Sequence, residues 1–302
     1  MKRRGFLAGA ATVVAAAGGC ITVSATETTE THSYEIGTER VTVDNPAGDV
    51  TVRTEDRADV DVRARKRDSM GNEDALSKLS VTTTRSDGTF VVGVEDDTDP
   101  GLADTTSLDL DVTVPASNRV SDVTVADGDV DLHGTVGDLT VDADDGDVSV
   151  RSVDGALTVE AEDGDLTVDS VSGDATATVG DGDVTIDGID GAVTLDGSDG
   201  DLTVTDPGAI DTVTGGDGDV SVEVPTLTDD ATVSVGDGNL DLALSPDLDA
   251  ALTLTVGDGD LNVDGFDFVR GDDVKRVETT FGDGTNALDV STGDGDVSVS
   301  RL

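Results

Sequence analysis

The sequence predicts an all-β fold, specifically a parallel β-solenoid (β-helix) with about 18-residue coils. Three observations predict it: a regular internal repeat, alternation of aliphatic and polar residues within the repeat, and a scarcity of aromatic residues, which form 2% of the chain. Hydrophobic residues still reach 35%. Because these are mostly small aliphatic residues, the predicted core is thin.

The repeat is marked by the tripeptide Asp-Gly-Asp, which recurs in steps of 18 residues. Its first residue occupies six regularly spaced positions: Asp127, Asp145, Asp163, Asp181, Asp199 and Asp217. The series continues with insertions at Asp237, Asp258 and Asp294. A fixed period of this length is typical of stacked structural units.

Each repeat has two halves of nine residues, and aliphatic residues alternate within each half, as at Val148 and Val150. Period two predicts short strands with one buried face, and glycine at a constant offset supplies the corners. An antiparallel meander would use the same Asp-Gly corners. A meander needs a second layer over its apolar face, however, and no segment of the sequence has a matching pattern. A coil of two facing strands covers itself, which favours the solenoid.

The start of the chain predicts export. Residues 1–19 have the pattern of a twin-arginine lipoprotein signal peptide, in which Arg3 and Arg4 precede a short apolar run. Small residues precede Cys20, the single cysteine of the chain, and we expect it to be the lipidation site. An ordinary signal peptide with a chance cysteine is the alternative, and export follows from either.

Three further segments are predicted after the signal. Residues 20–33 are expected to form a Thr-rich tether, residues 34–114 irregular N-terminal β coils that cap the solenoid, and residues 115–302 the regular repeats. Phe266, Phe268 and Phe281 concentrate near the last coils, where they could close the apolar interior.

The charge of the chain is strongly acidic, with a formal net charge of -48. Removal of three basic residues with the signal leaves 15 basic against 66 acidic residues, a net charge of -51. Such a field repels phosphate backbones and anionic lipids, so we expect no nucleic-acid partner and membrane contact through the lipid anchor only. The excess of aspartate over lysine resembles the composition of halophilic proteins.

Two segments carry a family resemblance. These are Val41–Val52, which contains Asn45-Pro46-Ala47-Gly48, and Leu110–Pro115, which leads into the Gly-Asp-Val repeats. With these segments the chain resembles the adhesin-like, DUF4097-like family of β-strand-repeat proteins from bacteria and archaea, as a haloarchaeal-type twin-arginine lipoprotein. The resemblance implies a surface β-solenoid with a role in adhesion, and it brings no catalytic motif.

Calcium is the sharpest site hypothesis. The six first aspartates should stack along one corner, where cations must gather, and Ca²⁺ at these positions would resemble a calcium-binding β-roll. In that motif an aspartate lies two residues before the buried aliphatic residue. The spacing here differs, because Asp165 directly precedes Leu166. Diffuse Na⁺ or K⁺ screening is the alternative, and no other cofactor is expected.

Catalysis is not expected. The two histidines, His32 in the tether and His133, lie in no catalytic motif, and His133 should point outward beside the inward Leu132. The sequence therefore predicts a non-enzymatic, adhesin-like lipoprotein on the extracellular face of the membrane, with a surface protein or glycan as partner. A calcium-binding β-roll scaffold and a polysaccharide-acting β-helix enzyme are the alternatives.

Overall fold

The computed structural model describes residues 26–98, 105–266 and 275–302. These residues form 24 strands and one helix of four residues, α1 (Glu73–Leu76), so the predicted all-β class is confirmed. Arg3, Arg4 and Cys20, and with them the predicted signal peptide, lie outside the described residues.

The strands are short and follow one another closely along the chain. The first nine are β1 (Thr26–Glu35), β2 (Arg40–Asn45), β3 (Val50–Glu55), β4 (Asp59–Asp68), β5 (Leu79–Ser86), β6 (Thr89–Asp96), β7 (Thr106–Pro115), β8 (Val120–Asp127) and β9 (Val130–His133). The next eight are β10 (Leu139–Asp145), β11 (Val148–Val153), β12 (Leu157–Asp163), β13 (Leu166–Val171), β14 (Ala175–Asp181), β15 (Val184–Asp199), β16 (Leu202–Asp217) and β17 (Val220–Val224). The last seven are β18 (Ala231–Asp237), β19 (Leu240–Leu244), β20 (Ala250–Asp258), β21 (Leu261–Val263), β22 (Arg276–Phe281), β23 (Asn286–Asp294) and β24 (Val297–Arg301).

In the middle of the chain, each strand pairs in parallel with the next strand but one. β10 pairs with β12 and β12 with β14, while β11 pairs with β13. Partners here lie 18 positions apart, as Leu139, Leu157 and Ala175 do. The long sheet is thus mostly parallel, which excludes the meander in this region.

The pairing separates the strands into two rows, which we call ladder A and ladder B. In spatial order, ladder A contains β5, β6, β2, β8, β10, β12, β14, the second halves of β15 and β16, β18, β23, β20 and β22. Ladder B contains β1, β4, β7, β3, β9, β11, β13, the first halves of β15 and β16, β17, β19, β24 and β21.

The alternating aliphatic residues form one continuous core. Val148 and Val150 are at most 1% exposed, and Leu157 and Val159 at most 2%. Residues between them in sequence point outward because successive side chains of a strand alternate between its faces. Each fully buried aliphatic side chain contributes roughly 1.5–3 kcal/mol to folding. The core is thin, but it runs through many layers, and the contributions of its side chains add up.

Glycine occupies every layer of the Asp-Gly-Asp corner because the backbone of the next layer fills the space of a side chain. A Cβ atom on Gly128 would lie 2.5 Å from the carbonyl carbon and oxygen of Gly48. The column has φ between +121° and +159° throughout, a region that residues with a side chain rarely adopt. Its members are Gly48, Gly128, Gly146, Gly164, Gly182, Gly200, Gly218, Gly238, Gly295 and Gly259.

The spatial order of the strands differs from their chain order at both ends. β2 lies between β6 and β8, and β3 lies between β7 and β9. Likewise β23 lies between β18 and β20, and β24 between β19 and β21. Asp294 pairs with both Asp237 and Asp258, so the last repeats do not stack in the order of the chain.

Antiparallel strands and polar or aromatic side chains lie at the ends. At one end β1 and β4 follow β7, and β5 follows β6. There Lys66 Nζ donates to Glu30 Oε1 at 2.8 Å, and Tyr34 packs on Phe90 with ring centroids 5.5 Å apart. Such strands cover open edges that could pair with another molecule.

At the other end, β22 pairs antiparallel with β20. Phe266 and Phe281 pack there edge to face, with centroids 5.4 Å apart, against the core. This placement agrees with the predicted aromatic closure, whereas Phe268 lies outside the described residues.

The structure also differs from the predicted tether. Thr26 to Ser33, assigned to the tether in the sequence, belong to β1 and pair with β4 along the whole strand. Backbone hydrogen bonds to β4 hold β1 at the edge of the sheet. The strand does not depend on a deeply buried apolar face, and so its sequence needs no alternating aliphatic residues.

We predict that Gly128→Ala destabilises the protein by about 3 kcal/mol or more, because the methyl group adds a backbone clash to the strain of positive φ. Gly88→Ala is the matched control, since Gly88 has φ +77° but no atom within 4 Å of its added Cβ; we expect a loss of about 1 kcal/mol. Urea unfolding of the full chain in concentrated KCl measures both. Equal losses would contradict the close backbone packing.

Candidate functional site

The first aspartates of the repeats come together on one exposed row. Asp127, Asp145, Asp163, Asp181, Asp199 and Asp217 are successive partners in ladder A. All six are exposed. Within residues 26–98, 105–266 and 275–302, no group of three or more His, Cys, Asp or Glu side chains is arranged to hold a metal ion. Calcium binding by this row stays a prediction.

The second aspartates of the repeats form a hydrogen-bonded column that we call the aspartate ladder. The Oδ1 atom of Asp147 accepts a hydrogen bond from the backbone N–H of Asp165, and Asp165 accepts from Asp183 in the same way, at 3.0 and 2.9 Å. The same bond joins Asp129 to Asp147, Asp183 to Asp201 and Asp201 to Asp219. Each carboxylate thus satisfies the first backbone donor after the glycine of the next layer.

The aspartate ladder continues into both irregular ends. Asp49 Oδ1 accepts from the N–H of Asp129, and Asp109 Oδ1 accepts from the N–H of Asp49, each at 3.3 Å. At the other end Asn239 takes the place of an aspartate, accepting from the N–H of Asp296 at 3.1 Å, and Asp296 accepts from Asp260 at 2.8 Å. The ladder therefore follows the spatial order of the strands, not their chain order.

The sequence predicts glycine corners and a stack of the first aspartates, but it did not lead us to predict this ladder of second aspartates. The available signal was the constant offset of the second aspartate together with Asn239, which keeps the acceptor oxygen without the charge. A hydrogen bond to a charged group contributes about 1.5–3 kcal/mol, so the recurrence of the acceptor along the column has a structural cause.

The other corner of each coil, which contains Asp138 and Asp174, has the same kind of hydrogen bond in fewer layers. Asp138 Oδ1 accepts from the N–H of Ala156 at 3.2 Å, and Asp174 Oδ1 accepts from the N–H of Ala192 at 2.9 Å. Aspartate appears there in alternate layers, so its carboxylates are more widely spaced than in the aspartate ladder.

Asp109, at the start of the aspartate ladder, has a perturbed environment. Burial raises the pKa of its carboxyl group, opposed by the charge of Arg67, whose guanidinium lies 2.9 Å from Asp109 Oδ2. The nearby Asp49 charge adds to the upward pKa shift. The ladder therefore begins at a half-buried ion pair, not at an exposed carboxylate.

The two histidines occupy different settings. His32 lies in β1 and its Nε2 atom is 3.4 Å from Glu30 Oε2. His133 ends β9, exposed beside the buried Leu132, as the sequence predicted.

No helix among the described residues has the length and apolar character needed to cross a bilayer. The predicted anchor, Cys20, and the export residues Arg3 and Arg4 lie outside them.

Comparison with known proteins gives one family match. The model of the family described as Toastrack DUF4097 matches residues 38–300. No curated protein matches the chain.

Several solved structures are similar at low identity. A proposed cell adhesion protein from Clostridium sporogenes is 12% identical, with a TM-score of 0.23, and the match covers 92% of this chain and 100% of that one. A proposed adhesin from Bacteroides fragilis is 12% identical, with a TM-score of 0.41 and coverage of 90% and 96%. A proposed lipid-binding protein from Parabacteroides distasonis is 10% identical, with a TM-score of 0.41 and coverage of 89% and 96%.

We predict that Asp165→Ala destabilises the protein by about 1–2 kcal/mol, because the N–H of Asp183 loses its acceptor. Asp165→Asn keeps the acceptor oxygen, as Asn239 does. In concentrated KCl its loss of stability should be smaller than that of Asp165→Ala. At low salt the asparagine should equal or exceed the wild type in stability, because it removes one of the stacked charges.

Urea unfolding at two KCl concentrations measures these effects. Asp144→Ala is the control: it removes one exposed charge from β10 without removing an acceptor of the aspartate ladder. If Asp165→Ala and Asp144→Ala were equally stable, the ladder bond would contribute nothing.

Proposed function

The chain belongs to the Toastrack DUF4097 family, and from this premise we propose that it is a non-enzymatic, adhesin-like lipoprotein of the cell surface. Its two ladders would form a β-solenoid of about 18-residue coils, held outside the membrane by a lipid on Cys20. The partner would be a surface protein or a glycan.

The observation that carries this proposal is the unbroken pair of ladders. Their inner faces bury aliphatic side chains along the length of the core, and their outer faces present rows of hydroxyl and carboxylate groups in register. A surface of this kind is rigid and repetitive, which suits contact with an extended partner better than enclosure of a small substrate.

Export and anchoring are supported by the sequence of residues 1–20. β1 begins at Thr26, so the chain from Cys20 to the first strand spans at most about 20 Å. A lipid on Cys20 would therefore hold the antiparallel end, with β1 and β4, close to the membrane. The rest of the ladders would then extend away from it.

A salt-rich habitat is supported by the charge. Stacked carboxylates on adjacent strands, about 4.8 Å apart, repel one another unless ions screen them. The net charge of -48 also requires screening by ions over the whole molecule. We therefore assign the protein to a halophilic, haloarchaeal type of lipoprotein.

We predict that Cys20→Ser releases the exported protein from the membrane fraction, since serine cannot form the thioether to lipid. Replacement of Arg3 and Arg4 by lysine should instead keep the uncleaved precursor inside the cell, because the twin-arginine route requires both arginines. Cell fractionation with protease treatment of intact cells distinguishes the two outcomes.

Thr22→Ala is the matched control, and it should leave both cleavage and membrane attachment unchanged. Persistence of the Cys20→Ser protein in washed membranes would contradict the lipid anchor. Resistance of the wild-type protein to external protease, with sensitivity after lysis, would contradict surface display.

A further inference from the structure

Two arginines and a histidine form a row across three neighbouring strands of ladder B. Arg53 on β3 pairs in register with His133 on β9, which pairs with Arg151 on β11. Parallel strands lie about 4.8 Å apart, so the two arginines are separated by roughly 10 Å of sheet. All three side chains point outward, and the two arginines are 42% and 48% exposed.

The row is unusual for this sequence. Arg151 is the only lysine or arginine between Arg119 and Arg270, and His133 is one of two histidines in the chain. Strand pairing brings both beside Arg53, which is distant in sequence. At the start of the regular repeats, whose outer surface carries mostly carboxylates, this row places two guanidinium groups within reach of one anionic ligand.

Acceptor groups lie beside the row. Arg53 donates to Asp111 Oδ1 at 2.7 Å, and Arg151 Nη1 lies 3.6 Å from Asp131 Oδ1. Asp131 is 54% exposed, so its carboxylate keeps lone pairs free for a ligand. A groove of about 370 Å³ is lined by the three residues of the row together with Asp131, Thr51 and Val52.

We propose that this row, Arg53, His133 and Arg151, binds an acidic sugar, a ring that carries a carboxylate within a glycan. The inference rests on the proposed function and names the ligand class of that surface. The guanidinium group of Arg151 or Arg53 binds the sugar carboxylate, in the fork geometry that guanidinium and carboxylate share. Asp131 accepts hydrogen bonds from the ring hydroxyls.

The mixture of charges selects an acidic sugar over a simple anion. A sulfate ion has no hydroxyl group to donate to the carboxylates of Asp111 and Asp131. A neutral sugar would leave the arginines without an anionic partner. A ring with both carboxylate and hydroxyl groups satisfies both kinds of side chain, and the glutamate trimer in the test below distinguishes it from an acidic peptide.

The net charge of the protein does not prevent this binding in concentrated salt. At 1 M ionic strength the Debye length is about 3 Å. Repulsion from distant carboxylates is then screened, while direct hydrogen-bonded contacts with the arginines persist.

The test uses the full chain carrying Cys20→Ser in about 1 M KCl with a chelator, titrated with a trimer of galacturonic acid. Its methyl ester is the matched neutral ligand. The chain has two histidines, so imidazole proton signals in NMR report on the site directly, with His133→Gln assigning them. We expect the His133 signal to shift on titration with the acid, the His32 signal to stay, and the ester to bind at least tenfold more weakly.

Arg151→Gln and Arg53→Gln should each weaken binding roughly tenfold, as loss of one charge-assisted pair does. Arg276→Gln removes the same charge from β22, outside the row, and should leave binding within about twofold. Circular dichroism of each variant verifies its fold.

Four results would overturn the proposal: no shift of the His133 signal, equal binding of the ester, equal weakening by Arg276→Gln, or equal binding of a glutamate trimer, which would indicate a protein partner. None of them alters the fractionation result for Cys20→Ser. Failure of the acidic-sugar site is therefore distinguishable from failure of the surface lipoprotein assignment.

Discussion

The structure depends on one close approach: the backbone of each layer occupies the space where a side chain of the next layer would lie at the glycine corner. This contact between Gly128 and Gly48 recurs along the column and fixes the distance and register between layers. With the register fixed, like residues stack on like, and valine or leucine continues the core from strand to strand. Bulky aromatic side chains would force the two ladders apart, and so the buried Phe90 lies near one end, on β6.

The same register imposes an electrostatic cost. Two carboxylates about 5 Å apart in water repel by roughly 0.8 kcal/mol, and the aspartate ladder repeats this at every layer. Each carboxylate also accepts a backbone N–H, a bond that contributes about 1.5–3 kcal/mol. The local balance is favourable, and salt improves it by weakening the repulsion more than the short hydrogen bond. Asn239 shows that the acceptor oxygen, not the charge, is what the corner requires.

The sequence predicts the local pattern of burial within each strand, but it does not predict the spatial order of the strands. Alternation identified the buried residues, such as Val148 and Val150, and the 18-residue step aligned the aspartates. It could not reveal that β23 and β24 insert between earlier strands, because every layer carries the same pattern and any layer can stack on any other. β1 was missed for a different reason, since an edge strand held by backbone bonds to β4 has no aliphatic alternation. The row of Arg53, His133 and Arg151 likewise depends on pairings that the repeat alone does not specify.

The insertion of both end layers has a consequence for folding. β2 and β3 are not enclosed until β6 to β9 have formed on either side of them, and β24, which ends at Arg301, is needed between β19 and β21. The ladders therefore cannot be completed by simple growth from the first layer to the last, because β24 fills an interior position between two strands that precede it in the chain. A chain of this topology therefore completes its ladders only after β24 has been synthesised.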